Sequence, residues 1–387
     1  MASLSPLFLP VEDFRRSRTR SRAIPFGVNR AMSLLWVDKH RPKTLDALDF
    51  HKPLSAQLKR MVTAGDFPHT LIYGPSGAGK KTRVMALLRE LHGPSVERLR
   101  AEQRTFKFGT TQPVELTILT SAHHIELNPS DAGIRDRDVV QEVIKEIAQS
   151  APVIKQTGED GAPAPAHFKV VVLNEVERLS KPAQHALRRT MEKYVGTCRL
   201  LLCCVNPSKV IAPIRSRCVC LRVAAPTHEE VCTVLSAVAH KEGVQLPPRL
   251  AMRIATGCER NLRRAILMLE ACKVHQYPLS AEQPVQQPDW QLFLSATADE
   301  VLAEQSPRQL MKVRGKLFEL LSNCIPPDMI MRELVQALMR KIPVAVRHET
   351  IHWAAIYEHR MQSGAKHIFH LEAFIARFMS VYKKHSP

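Results

Sequence analysis

The chain has 387 residues, more than one compact core usually serves, so two or three domains are expected. Apolar residues make up 45% and charged residues 24%, which excludes a low-complexity chain, and no uninterrupted apolar run reaches the roughly 18 residues of a membrane span. Fifty-five Lys and Arg against 37 Asp and Glu give a formal charge of +18, which points to a polyanionic partner, nucleic acid before a membrane surface.

Residues 1–31, with "FRRSRTRSRAIPFGVNRA", are Arg- and Ser-rich, lack hydrophobic periodicity and read as a basic disordered extension. The stretch has the composition of a transit peptide, but Glu12 and Asp13 interrupt it. Met32 opens what reads as a folded unit, so an extended or alternative start is the expectation. From 32 to 225 the pattern is α/β. Strands are predicted at "HTLIYG", "TILTS", "HIELN", "FKVVVLN" and "CRLLLCCVN", with a hairpin inserted at 104–120 around "KFGTTQP". Helices are predicted at "KKTRVMALLRELHG" and "RDVVQEVIKEIAQS", the latter with Val139, Val140, Val143, Ile144 and Ile147 on one face. Alternating strands and helices predict a parallel, doubly wound sheet. A flexible loop is expected at 155–166, "KQTGEDGAPAPA". After "APTHEE" the period is purely helical through 226–278; a polar, Pro- and Gln-rich linker, "YPLSAEQPVQQPD", then leads into helices that fill 279–387.

The nine cysteines lie partly inside apolar runs such as "LLCCV", and none forms a CxxC pair, so they read as reduced core residues and no metal site is expected from them. His123 and His124 read as strand packing, since no third ligand accompanies them.

The chemistry concentrates in "LIYGPSGAGKKTR". Gly74, Gly79 and Lys80 have the spacing of a phosphate-binding loop between a predicted strand and a predicted helix. Backbone N–H groups and the helix N-terminus would surround phosphates there, and Lys80 would reach the β- and γ-phosphates. The next position, however, is Lys81, where a Ser or Thr hydroxyl would hold magnesium. In "VVVLNEVERL", Glu175 stands where a catalytic base belongs, but Asn174 replaces the metal-holding Asp, and an amide oxygen is a weaker ligand for a hard cation. Both protein handles on magnesium are altered. The expectation is a site that binds nucleotide and hydrolyses it badly.

Taken together, "WVDKHRP", "GPSGAGKKT", "QHALRRTMEKY" and "CCVNPSKVIAPIRSRC" resemble a small subunit of the eukaryotic clamp loader replication factor C, of the AAA+ ATPase family, from about Met32 to the C-terminus. The resemblance implies an α/β AAA+ P-loop domain with a parallel sheet (32–225), a small helical lid (226–278) and an all-α collar for oligomerisation (279–387). It implies ATP or ADP bound by Gly74, Pro75, Ser76, Gly77, Ala78, Gly79, Lys80, Lys81 and Thr82, with any Mg2+ weakly held, and Val37, Arg41 and Pro42 beside the adenine. Glu175 would occupy the Walker B position, Asn206 would be the sensor at a strand end, and Arg263 the lid arginine. Arg217 would be an arginine finger acting on a neighbour's ATP.

Asn206 can alternatively cap the turn before Pro207, and Arg217 can be a surface ion-pairing residue. Arg263 and Arg264 are adjacent on a helix, so they cannot share a face and one is expected in solvent. The implied partners are the other replication factor C subunits in a hetero-pentamer, the sliding clamp (PCNA) and primer–template DNA in the nucleus, serving DNA replication and repair. For DNA the candidates are Arg135, Arg137, Arg188 and Arg189, near helix starts or on a basic helix, contacts that carry no sequence preference. Two rival readings are a self-sufficient P-loop NTPase or kinase, and a scaffold that has lost nucleotide binding.

Overall fold

The computed structural model describes residues 34–65, 67–106, 114–149, 168–364 and 366–385. The expectations for 1–31, the hairpin tip and the loop at 155–166 lie outside the described residues.

A short helix α1 (Trp36–Lys39) and helix α2 (Lys52–Thr63) precede strand β1 (Thr70–Tyr73), which runs into the glycine loop and helix α3 (Lys80–His92). Strands β2 (Arg100–Phe106) and β3 (Val114–Thr120) form the expected hairpin, pairing antiparallel from Arg100 opposite Thr120 to Phe106 opposite Val114. Strand β4 (His124–Leu127), helix α4 (Asp136–Gln149), strand β5 (Lys169–Leu173), helix α5 (Lys181–Lys193) and strand β6 (Cys198–Cys204) follow. A four-residue helix α6 (Ala212–Arg215) leads to strand β7 (Val219–Arg222), which the sequence reading did not anticipate. The sheet order is β2-β3-β4-β5-β6-β1-β7: five parallel strands from β4 to β7, with the hairpin added antiparallel at one edge.

The central strands are continuous apolar runs because both sheet faces are covered. Val171, Leu173, Leu200, Leu202 and Cys204 point to a core shared with Val139, Val140, Val143 and Ile144 of α4 and Leu187 of α5. Their alternates, Val170, Val172, Leu201 and Cys203, meet Val84, Leu87 and Leu88 of α3 on the opposite face. Period-2 alternation within an apolar run therefore serves two helical layers at once.

Helix α7 (His228–Lys241) begins at a capping box: Thr227 Oγ1 accepts from Glu230 N, and the Glu230 carboxylate accepts from Thr227 N. That reciprocal pair explains why the strand period stops at "APTHEE". Helices α8 (Pro248–Gly257) and α9 (Leu262–His275) complete a cluster around Leu235, Leu250, Ile254 and Leu269, onto which Trp36 of α1 also packs. The remaining chain forms α10 (Asp289–Ala303), α11 (Pro307–Ser322), α12 (Pro327–Lys341), α13 (Val344–Ser363) and α14 (His367–His385) around Leu317, Leu334, Phe374 and Phe378.

Candidate nucleotide-binding site

The glycine loop at 74–79 follows the C-terminal end of β1, between the ends of β6 and β7. Gly74 is required there by close approach, because a Cβ would stand 1.9 Å from the Val223 carbonyl oxygen. Gly77, at φ +73°, lies against the side chain of Asn261, and its carbonyl accepts from Leu262 N at 3.2 Å. The α7–α9 unit is thus bonded directly to the loop.

Lys80 Nζ donates to the carbonyls of Gly74 (2.7 Å) and Pro75 (2.9 Å), curling back over the loop. Burial pushes its pKa below the usual lysine value, with Arg263 adding to the effect. An anion entering the loop restores the charge balance that this geometry leaves positive. Two adjoining cavities meet at this loop. The first, about 300 Å³, is lined by loop residues with Asn128, Asn174, Glu175, Glu177, Val205 and Arg263. The second, about 540 Å³, is more apolar and is bounded by Val37, Pro42, Phe50, Val238, Leu262 and Ile266. Arg41, Gly77, Gly79, Thr82 and Arg263 border both. A cradle for phosphates beside a greasy slot matches a nucleotide's polar and apolar halves.

The structure brings most of the sequence-predicted residues to these cavities. Val37, Arg41 and Pro42 bound the apolar slot; Ser76, Gly77, Gly79, Lys80, Lys81 and Thr82 line the phosphate side. Pro75 contributes its carbonyl to Lys80, and Ala78 is the buried residue of the loop's second half. Asn206 is a correction. Strand β6 ends at Cys204, so Val205 reaches the cavity, and Asn206 Oδ1 turns away to accept from Ser208 N at 2.9 Å. It caps a turn and does not face the cavity. Of the adjacent arginines, Arg263 is the exposed one and borders both cavities, while Arg264 is half-buried and donates to Gln291 Oε1 of α10 at 2.7 Å.

Glu175 sits at φ +53° with its Oε2 3.2 Å from Arg178 Nε. Glu177 lies deeper, its Oε1 accepting from Val205 N at 3.0 Å. The residue at the metal-holding position of the loop, Lys81, does not reach toward Asn174. Its ammonium lies 2.8 Å from Oε2 of Glu126, a β4 residue that is 2% exposed. Sequence reasoning missed Glu126, Asn128, Glu177 and Val205, which meet only through the sheet. The donor set does not fit a magnesium ion: an ammonium and an amide stand where a hydroxyl and a carboxylate would bind it, Glu175 is paired with Arg178, and Glu177 brings a single unpaired oxygen. Thr82, one residue on, lines both cavities without restoring an anionic ligand.

Arg217 is exposed on the segment between α6 and β7, away from these cavities. Its Nε and one terminal nitrogen both lie 2.7 Å from Glu192 Oε1, and the other terminal nitrogen donates to the Pro213 carbonyl. Arg188 approaches the same carboxylate at 3.7 Å. Arg137 and Arg189 are exposed on α4 and α5, and Arg135, half-buried, precedes α4. Asp136 ties the α4 and α5 starts together by accepting from Ser180 N and Oγ. The thiols of Cys203 and Cys204, beside the phosphate cavity, are pushed up to about 12 by burial, which keeps them protonated. No helix among the described residues is long and apolar enough to cross a membrane.

A parallel sheet in this order, a glycine loop bonded to a three-helix lid and a helical C-terminal unit define an AAA+ nucleotide-binding chain. Known proteins agree segment by segment. A family model described as DNA polymerase III, delta subunit, matches residues 50–227; one described as RCF1/5-like, AAA+ ATPase lid domain, matches 233–274; and the Replication factor C subunit 3, C-terminal domain, matches 290–386. The chain is 53% identical over 350 residues to Replication factor C subunit 3 of Bos taurus, covering 90% of this chain and 96% of that protein. The human protein of the same name is 52% identical over the same shares of both chains, and Replication factor C subunit 5 of Schizosaccharomyces pombe is 47% identical, over 90% of this chain and 97% of that one. The chain belongs to the replication factor C subunit 3 family of clamp-loader subunits.

Proposed function

We propose that this chain binds ATP or ADP within a hetero-pentameric replication factor C complex that uses ATP to load the sliding clamp (PCNA) onto primer–template DNA in the nucleus, and that its own site contributes little hydrolysis. The observation that carries this reading is the split at one loop. The phosphate cradle of Gly74, Gly77, Gly79 and Lys80 is intact, while Lys81 pairs with Glu126 and Asn174 offers only an amide. The proposed division of labour gives nucleotide to 32–225 with the lid at 226–278, and subunit contacts to 279–387. Arg217 is assigned to the neighbouring subunit's ATP, a role its exposed position supports, and Arg135, Arg137, Arg188 and Arg189 to the DNA backbone.

The test is Lys80→Ala in the assembled complex. Most DNA-stimulated ATPase activity should persist, because the turnover arises at other subunits. Loss of nearly all turnover with assembly intact would refute the reading. The self-sufficient NTPase reading requires robust turnover by the purified chain alone, which the altered metal ligands oppose. The scaffold reading requires that the purified chain bind no labelled ATP.

A further inference from the structure

The contact between Lys81 and Glu126 says more than that a metal ligand is missing. Glu126 is a carboxylate inside the sheet, 2% exposed, with its Oε2 2.8 Å from the Lys81 ammonium. Its other oxygen lies 3.9 Å from His124 Nε2, beyond hydrogen-bonding distance, and burial holds that imidazole in its neutral form by pushing its pKa down. Lys81 is therefore the cation that balances Glu126. Its side chain is 42% exposed, and Lys81 is among the residues that line the phosphate cavity. One cationic side chain of the cavity wall is thus anchored by a buried acid.

The rest of the cavity wall completes the pattern. Lys80, Arg263 and Arg41, the last ion-paired with Asp38 at 2.9 Å, bring further cationic side chains to it, and Asn128 and Asn174 offer neutral amides. Of the two acids present, Glu175 pairs with Arg178, and Glu177 accepts from the Val205 backbone through Oε1, which leaves its buried Oε2 without a hydrogen-bond partner among the described residues. An acid-poor wall with an anchored cation at the metal-bearing position suits a bare phosphate chain better than a metal-complexed one, since a hard divalent cation needs anionic oxygen ligands and is repelled by ammonium.

We propose that this site takes its nucleoside di- or triphosphate free of divalent cation, with the Lys81 ammonium, pinned by Glu126, supplying the charge that a metal supplies elsewhere. The proposal rests on the nucleotide-binding reading above. It assigns Lys81 and Glu126 a binding role of their own: Lys81 neutralises phosphate charge, and Glu126 positions Lys81 without touching the ligand.

The experiment titrates fluorescent ADP and fluorescent ATP into the full purified chain, once with excess Mg2+ and once with EDTA, and follows bound Mn2+ by electron paramagnetic resonance. The expected Kd values in the two conditions differ by less than about threefold, and Mn2+ does not become ordered with the nucleotide. Because Lys81→Thr strands a buried carboxylate and can unfold the domain, the informative variant is the double replacement Lys81→Thr, Glu126→Gln. It restores a hydroxyl at the loop and removes the acid. Its affinity in EDTA should fall by tenfold or more, and Mg2+ should recover part of that loss. Tight wild-type binding that EDTA weakens more than tenfold, or an ordered Mn2+ with the wild type, would overturn the proposal while leaving nucleotide binding intact. Absence of binding in both conditions would overturn the nucleotide reading and this inference with it.

Discussion

Replacing Gly77 by Ala should undock the lid from the phosphate loop. At φ +73° a side chain is strained whatever the space, at about 1–2 kcal/mol. The space is also taken, since a Cβ would stand 1.8 Å from Asn261 Oδ1 and 2.2 Å from its Cγ. Asn261 cannot yield freely, because Oδ1 caps α9 by accepting from Arg264 N at 3.1 Å. Losing that cap costs about 1 kcal/mol, and the neighbouring bond from Leu262 N to the Gly77 carbonyl is worth about another 1 kcal/mol. The sum, about 3–4 kcal/mol, sets an upper bound of several-hundredfold on the loss of nucleotide affinity if binding requires the docked lid. Asn261→Gly alone should cost only a few tenths of a kcal/mol, since glycine is a tolerable N-cap. It also opens the space, so the double variant should bear little more than the φ strain. Urea unfolding and fluorescent-nucleotide titration of the four proteins complete the cycle. A double variant at least as damaged as the two single changes added together would refute the steric argument. A Gly77→Ala protein equal to wild type would refute the loop geometry itself.

Arg217→Ala should leave assembly and ATP binding unchanged and slow hydrolysis at the adjacent subunit, where a finger in trans is typically worth roughly 10³–10⁵ in rate; single-turnover rates in complexes with only that neighbouring site active would refute the role if they matched wild type. Replacing Arg135 and Arg137 together by Ala should flatten the salt dependence of DNA affinity by up to about 0.9 in the log–log slope per lost phosphate contact and weaken different sequences alike; an unchanged slope would take both residues off the DNA path. Stability should fall as pH drops from about 6.5 towards 4, because burial, with His123 and His124 nearby, holds His92 down to about 4 while the unfolded chain takes up its proton near 6.5. His124 and His69 are shifted the same way, so His92→Phe should remove only part of the slope in urea midpoints against pH, an effect on the order of 1–3 kcal/mol at the acid end; an unaltered slope would refute the assignment.

The phosphate loop was legible in the sequence because glycine spacing dictates backbone geometry directly: Gly74 and Gly77 occupy positions where a Cβ has no room. The α/β order was legible because apolar runs and turn residues are local signals, and the onset of the helical segment after "APTHEE" because the hydrophobic period changes there. Asn206 was misread because a strand's last residue decides which side chain faces a cleft, and "CCVNPS" does not say that pairing stops at Cys204. Strand β7 escaped notice because four residues with two outward-facing side chains, Cys220 and Arg222, carry too little alternation to register. The Lys81–Glu126 pair was invisible for a different reason. Its members are 45 positions apart and meet only in the folded chain, so Lys81 read as a lost ligand and Glu126 as a charge on a strand.

Strand β7 joins two features that lie far apart in the chain. It pairs with β1 from Val219 opposite Thr70 to Arg222 opposite Tyr73, and its continuation presents the Val223 carbonyl that excludes any side chain at Gly74. Arg217 stands two residues before the strand begins. The exposed arginine and the phosphate loop are thus opposite ends of one short lever, stiffened by the ladder to β1. If Arg217 engages a neighbour's nucleotide as proposed, the β7–β1 ladder is the hydrogen-bonded path between that contact and the loop. Linkage makes any coupling along it symmetric: whatever factor the neighbour's ligand applies to this cradle, an occupied cradle returns to the neighbour. Under the proposed function, a pocket of low turnover would by that linkage report the state of one position in the ring to the next.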